Sequence, residues 1–324
     1  MTKRIYVYSP SGAVRDRAAF RRGIARLKAL GHEVEIDPAA LASHQRFAGD
    51  DETRVAAIAR AAASGAEVAL TTRGGYGLTR ILQRIDLEAV ARSISNGTHW
   101  VGLSDFTALQ CALLAKTGAA TWAGPALGED FGAEGGADDI MEACFEDLLL
   151  ERGEGAGWRC GASDLPASQT IASKSIAKNL YLAGDEGKFC TENAVLWGGN
   201  LAIVSCLVGT PYLPMPERSV LFLEDVNEHP FRIERMLTQL LHAGVLARQQ
   251  ALVLGQFTGG KALPHDRGFN LKTVVAWLRS QLAIPIVTGL PFGHVPTKVL
   301  LPVGAQVTLA VENRDALIYW GHPS

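Results

Sequence analysis

Apolar and polar positions in the first half of the chain follow two alternating rhythms. Residues 5–8 form a short apolar run that ends in the turn cluster Ser9-Pro10-Ser11-Gly12. Phe20, Ile24 and Leu27 then recur at helical spacing, and Gly31 stops that helix. Val34 and Ile36 predict a second strand. Asp51 predicts a cap for a helix whose apolar face carries Val55 and Ile58. Residues 68–71 read as a third strand, followed by Arg73-Gly74-Gly75-Tyr76-Gly77. Helical text covers 78–85 and 87–94; residues 100–102 predict a fourth strand and 105–116 a helix. This alternation predicts an α/β fold with a doubly wound, mostly parallel sheet.

Text rich in glycine and serine, without periodicity, marks 156–185 as a linker region. It separates an N-terminal domain, 1–155, from a C-terminal domain, 186–324. In the second domain 194–197 and 201–207 read as short strands, and 220–223 as a strand running into Glu224-Asp225. A helix is predicted over 231–243, a strand over 251–257, a helix over 271–282 and a strand over 286–288. The pieces 306–311 and 316–320 flank Glu312-Asn313-Arg314-Asp315 and predict a terminal hairpin.

Composition narrows the class. With 324 residues, 48% hydrophobic and 20% charged, the chain has the make-up of a soluble globular protein of two domains. A net charge of -2 and the absence of any basic run argue against a nucleic-acid partner. No stretch approaches the ~18 apolar residues of a membrane helix. Nothing of signal-peptide length follows Met-Thr-Lys-Arg-Ile-Tyr-Val-Tyr, so the expectation is a cytoplasmic protein with no membrane partner. Cys111, Cys144, Cys160, Cys190 and Cys206 are odd in number and widely spaced, which predicts reduced thiols rather than a zinc site.

Candidate chemistry begins at Gly102-Leu103-Ser104-Asp105, where a strand gives way to a helix. A serine on such a turn presents its hydroxyl beside unpaired N–H groups at the positive end of a helix dipole. The text resembles a nucleophile elbow that lacks its second glycine, and it equally suits a helix-capping serine. In Arg73-Gly74-Gly75-Tyr76-Gly77, Gly75 N–H is a candidate oxyanion donor beside Asp105 N–H. The spacing fits neither a dinucleotide nor a P-loop fingerprint.

Read in order, these segments resemble the LD-carboxypeptidase family, the muramoyltetrapeptide carboxypeptidases of peptidoglycan recycling, with a branch that confers self-immunity to microcin C. The likeness runs through Ser9-Pro10-Ser11-Gly12, the Arg73–Gly77 run with Arg80 and Ile85-Asp86, Gly102-Leu103-Ser104-Asp105-Phe106-Thr107-Ala108-Leu109 and Gly124-Pro125. It continues through Gly198-Gly199-Asn200-Leu201, Gly209-Thr210-Pro211, Leu223-Glu224-Asp225, Pro230-Phe231-Arg232-Ile233-Glu234-Arg235-Met236-Leu237 and Gly289-Leu290-Pro291-Phe292-Gly293-His294. The resemblance implies a catalytic triad of Ser104, Glu224 and His294. It also implies a smaller C-terminal domain with a barrel-like sheet and helices, and a homodimer. Leu103 and Trp122 depart from the residues many members carry there, which bears on the substrate.

The chemistry suits these residue types. A serine hydroxyl needs a base within reach, and imidazole titrates near neutrality. The imidazole needs a carboxylate to fix its tautomer, for which Glu224 has Asp225 and Glu228 as neighbouring rivals. The implied reaction is acyl transfer at the last peptide bond of a small peptide with a free C-terminal carboxylate, with no cofactor and no metal. Arg73, Arg232 and Lys298 are candidates to read that carboxylate, each equally suited to a salt link. Tyr76 and Trp122 are further pocket candidates. Two alternatives stay open: an immunity-type peptidase acting on nucleotide conjugates, with Trp122, Trp158 or Trp197 as an aromatic platform, and a non-catalytic small-molecule-binding protein.

Overall fold

The computed structural model describes residues 2–160, 188–261 and 263–321. The chain divides into two compact units: residues 1–153, 209–214 and 296–304 form the first, and 154–208, 215–295 and 305–324 the second.

The first unit begins with β1 (Arg4–Tyr8), α1 (Arg17–Ala29), β2 (Glu33–Ile36), α2 (Asp51–Ala63) and β3 (Val68–Thr71). It continues with α3 (Leu78–Ile81), α4 (Leu87–Ser95), β4 (His99–Gly102), α5 (Thr107–Thr117), β5 (Thr121–Ala123) and α6 (Asp139–Leu149). The Asp16 carboxylate accepts from Ala18 and Ala19 N–H at 2.8 Å and starts α1, which buries Phe20, Ile24 and Leu27 at one-turn spacing. The cap expected at Asp51 is instead Asp50, which accepts from Thr53 N–H at 2.8 Å. Asp51 lies in the first turn, where its charge complements the dipole and holds Arg80 at 2.9 Å. The helix expected over 78–85 divides into α3 and a 3₁₀ turn, Leu82–Arg84.

The six strands lie in the order β11-β5-β4-β3-β1-β2, where β11 (Leu301–Val303) returns from late in the chain and pairs antiparallel with β5. The other pairings are parallel. Strands such as Val68–Thr71, buried at every position, read as unbroken apolar runs for that reason. The order reverses at β1, which sits between β2 and β3. In open parallel sheets ligands bind at such a switch point, beyond the carboxyl ends of the strands. Here those ends lead into Ser9–Gly12, the Arg73–Gly77 loop and Ser104.

The second unit holds β6 (Gly155–Arg159), β7 (Lys188–Asn200), α7 (Leu201–Cys206), β8 (Ser219–Val226), α8 (Pro230–His242), β9 (Ala251–Thr258) and α9 (Leu271–Gln281). It ends with β10 (Ile286–Thr288), β12 (Gln306–Glu312) and β13 (Asp315–Tyr319). Their order is β10-β9-β8-β7-β12-β13-β6, parallel from β10 to β7 and antiparallel from β7 to β6. The order is open, and no barrel closes among the described residues; an α/β chain of two units, the second a sheet with helices, is the class expected. The linker expected over 156–185 differs at its start, where Gly155–Arg159 pairs along β13; residues 161–185 lie outside the described residues. The strands expected at 194–197 and 201–207 are one long strand and one short helix. Asn200 accepts from Ile203 N–H at 3.2 Å and caps the turn, and Leu201, Val204 and Ser205 are buried at helical spacing.

Candidate functional site

Ser104 has φ of +66°, a left-handed conformation that disfavours any residue with a Cβ. Its side chain caps neither the 3₁₀ turn Ser104–Phe106, whose cap is Leu103, nor α5, whose cap is Phe106. The capping reading of this serine is therefore replaced by a strained strand-to-helix turn. Such strain persists only where surrounding structure imposes it. Part of that structure is Gly74. A methyl group there would lie 2.5 Å from Ser104 Cβ and 2.9 Å from Oγ, so only glycine lets the loop backbone come this close. The Gly74 carbonyl accepts from Gly12 N–H at 3.2 Å. Across a trans peptide the C=O and N–H point opposite ways, so Gly75 N–H is turned away from Gly12.

In the second unit Glu224 is buried at the end of β8, beside a register shift between Leu223 and Asp225. Bulges of this kind re-aim side chains next to functional sites. Opposite it, the segment Gly289-Leu290-Pro291-Phe292-Gly293-His294 lies along β9: Gln256 N–H donates to Phe292 O at 2.8 Å, and Gln256 Nε2 to Leu290 O at 3.0 Å. Phe292 is buried edge-on against Phe222, ring centroids 5.4 Å apart. Gly293 has φ of +141°, and a methyl group on it would meet Gln256 O at 2.9 Å and Glu224 Oε2 at 3.2 Å. The segment therefore delivers His294 to Glu224, with Nδ1 2.8 Å from Oε2. A carboxylate only accepts, which places the proton on Nδ1 and the lone pair on Nε2, the tautomer a general base needs.

The two rival carboxylates are engaged elsewhere. Asp225 accepts from Ala202 N–H at 2.9 Å, Val226 N–H at 2.8 Å and Asn200 Nδ2 at 2.9 Å. Burial, aided by the neighbouring Glu224 charge, pushes its carboxyl up to about 6. Glu228 is paired with Arg232, one turn along the entry to α8. Asn200 also reaches Glu224 Oε1 at 3.3 Å, so one amide links both buried acids. Residue periodicity gave no role to Asn200; an asparagine between a strand and a short apolar run was the available signal.

The remaining candidates are scattered. Arg73 extends from the glycine loop, its Nη1 3.5 Å from Ala13 O and its Nη2 3.7 Å from Glu129. Tyr76 is 46% exposed, tilted against Phe47 with Arg46 over its ring at 5.6 Å. Lys298 is buried in an ion pair with Asp130, and the exposed Arg232 is held by Glu228. Both therefore carry the salt-link reading in this structure. Trp122 is almost wholly buried on β5, and Trp197 is fully buried with its indole N–H on Gln249 at 3.0 Å. Trp158 donates to Thr288 O at 3.0 Å. Asp105 is buried after Ser104, its Oδ2 accepting from Leu78 N–H at 2.8 Å, and burial pushes it up to about 6. Among the described residues no cluster of three His, Cys, Asp or Glu has the make-up of a metal site, and no helix is long and apolar enough to cross a membrane.

Comparison with known proteins gives matches in both halves of the chain. The LD-carboxypeptidase N-terminal domain model matches residues 5–124, and the LD-carboxypeptidase C-terminal domain model matches residues 193–309. The chain is similar to a muramoyltetrapeptide carboxypeptidase from Oxalobacter formigenes, with 34% identity and a TM-score of 0.83 over 99% of this chain and 100% of that one. It is also similar to the microcin C7 self-immunity protein MccF of Escherichia coli, 26% identical over 262 residues, 77% of this chain and 72% of that protein. The structure of MccF in complex with aspartyl sulfamoyl adenosine shares the fold, at 22% identity and a TM-score of 0.81 over 99% and 97% of the two chains.

Proposed function

The chain belongs to the LD-carboxypeptidase family, and from that premise we propose that it is a serine carboxypeptidase that releases the terminal D-alanine of a peptidoglycan-derived tetrapeptide. The observation that carries this reading is the buried Glu224 carboxylate 2.8 Å from His294 Nδ1, which readies the imidazole as a base. The strained Ser104 turn is its natural counterpart as nucleophile.

In this mechanism His294 Nε2 takes the Ser104 proton as Oγ attacks the carbonyl carbon of the last peptide bond. The carbonyl π electrons move onto oxygen, and Gly75 and Asp105 N–H groups hold that oxyanion. The C–N bond then breaks, and His294 returns the proton to the departing amine, leaving the acyl group on Ser104. Water attacks the ester carbonyl and gives a proton to His294, which passes it back to Ser104 Oγ as the ester bond breaks. The Glu224 carboxylate accepts from the imidazolium and holds it in place. Arg73 reads the terminal carboxylate, since its planar fork suits two oxygens and its contact with Glu129 is long.

Of the three tryptophans that could offer a nucleotide platform, Trp122 and Trp197 are buried, while the half-buried Trp158 ties its indole N–H to Thr288 O at 3.0 Å; a murein tetrapeptide is favoured on that balance. The test is mass spectrometry of the purified protein with a murein tetrapeptide ending in D-alanine, beside an aminoacyl-sulfamoyl adenosine. The expected result is loss of one alanine by the wild type and none by Ser104→Ala. Cleavage of the sulfamate alone would move the reading to the immunity-type reaction.

A further inference from the structure

A single peptide unit between the glycine loop and α3 is gripped from two sides by buried charges that the acyl-transfer steps leave unused. The carbonyl of Gly77 accepts from Arg54 Nη1 at 2.8 Å, and the next N–H, that of Leu78, donates to Asp105 Oδ2 at 2.8 Å. Arg54 and Asp105 are both buried. A trans peptide turns its C=O and N–H in opposite directions, so the two side chains hold it from opposite sides. Gly77 has no side chain with which to cap α3, and a methyl group there would lie 2.5 Å from Arg54 Nη1. The helix cap is thus supplied from elsewhere in the chain, by the residue directly after Ser104. A charge-assisted bond to backbone N–H is among the stronger hydrogen bonds.

Resting on the serine-peptidase reading above, we propose that Asp105 is a positioning residue: with Arg54 it clamps the Gly77–Leu78 peptide and fixes the Arg73–Gly77 loop against the Ser104 turn. The loop has two anchors at its two ends. Gly12 N–H holds the Gly74 carbonyl, and the Arg54–Asp105 clamp holds the Gly77–Leu78 peptide. Gly75, whose N–H is the proposed oxyanion donor, lies between them. Asp105 touches no reacting atom through its carboxylate; its effect runs through the loop. A buried carboxylate is costly in an apolar site, and here burial pushes its carboxyl up to about 6. Retaining one next to the nucleophile fits a functional demand rather than a packing one.

The test compares Asp105→Asn and Asp105→Ala in the full-length protein, with D-alanine release measured by steady-state kinetics and Leu78 amide exchange by hydrogen–deuterium mass spectrometry. Asparagine keeps an oxygen acceptor for Leu78 N–H; alanine has none. The expected result is a drop of about 10²-fold in kcat for Asp105→Ala with KM within about threefold, as for misplacement of about 1 Å in an active site. Asp105→Asn should recover kcat to within about tenfold of wild type, since its neutral acceptor makes a weaker hydrogen bond than the charged one. Leu78 exchange should be slow in wild type and Asp105→Asn and fast in Asp105→Ala. Equal kcat for alanine and wild type, equal loss for asparagine and alanine, or a change confined to KM would overturn the proposal. If Asp105→Ala does not fold, Arg54→Gln takes its place, with the same split in kcat expected and an unchanged kcat overturning the clamp. A wild type that cleaves neither a peptide nor an aminoacyl-sulfamoyl adenosine would sink the serine-peptidase reading on its own. The clamp would then be judged by exchange, with Leu78 equally fast in all three proteins as the result against it.

Discussion

The Ser104 turn and the Glu224–His294 pair are held in place by different means. In the first unit the geometry is made by backbone: a serine at φ of +66°, Gly74 packed against it and a loop fixed through peptide groups. In the second it is made by side chains on a sheet: a buried carboxylate between Asn200 and His294, with Phe292 anchoring the segment that carries the imidazole. Each half is therefore vulnerable to a different kind of change. Adding one methyl group should break the backbone-built half, whereas the side-chain half should respond to changes of charge at constant shape.

Isosteric change gives the largest effect. Glu224→Gln keeps the volume, but its single amide oxygen is drawn to the Asn200 Nδ2 donor, which leaves the NH2 facing His294 Nδ1 and favours the wrong tautomer; kcat should fall about 10⁴-fold with the fold intact, as in the analogous triad carboxamide. Ser104→Ala should fall at least as far. A loss under tenfold in Glu224→Gln, read by kinetics beside circular dichroism, would break the comparison on the side-chain side.

Phe292→Ala comes next. It opens a cavity against Phe222 and loosens the Gly293–His294 segment, with an expected cost of about 3–5 kcal/mol in denaturant unfolding. Activity should fall with it, even at temperatures where the protein stays folded. Unchanged kcat in the folded variant would show that the anchor does not hold His294.

Gly74→Ala sharpens the other half. Its methyl would stand 2.5 Å from Ser104 Cβ, and the displaced loop would carry Gly75 N–H with it. Loss of the proposed oxyanion donor predicts a fall of about 10²–10³ in kcat. Near-normal activity would mean the loop gives way freely, contrary to a backbone-built site.

Much of this was legible in the amino-acid sequence, and the exceptions have physical causes. Buried parallel strands are continuous apolar runs, so β1, β3, β4 and β9 stood out. Leu201–Cys206 read as a strand because its six residues are mostly apolar and too short to display a helical period; the Asn200 cap decided it. Asp50 and Asp51 are both competent caps, and only the backbone geometry separates them. The pairing of Leu301–Val303 with β5 joins segments far apart in the chain and leaves no local signature. The resemblance already favours Glu224 over Asp225 and Glu228, and the structure adds where each carboxylate points. Lys298 was offered for substrate and is spent on Asp130, a pairing invisible without tertiary context.

The smallest effect concerns pH and stability. Burial raises Asp225 from 3.8 to about 6, so the folded state holds its proton more tightly than the unfolded state does. Stability from this group is therefore full below about pH 4 and is lost as pH rises to about 6, a change on the order of 2–3 kcal/mol. Denaturant unfolding of wild type and Asp225→Asn from pH 4 to 7 should show the wild type losing stability relative to the variant across that window. Parallel curves would remove Asp225 from the buried network.

The proposed mechanism depends on Ser104 as nucleophile and His294 as its base. Covalent labelling by a fluorophosphonate probe, mapped by peptide mass spectrometry, tests it most directly. An adduct on Ser104 is expected in the wild type, with a labelling rate at least about 100-fold slower in His294→Ala, the contribution of a general base. Labelling of Ser104 at the wild-type rate in His294→Ala, or no labelling of Ser104 at all, would contradict it.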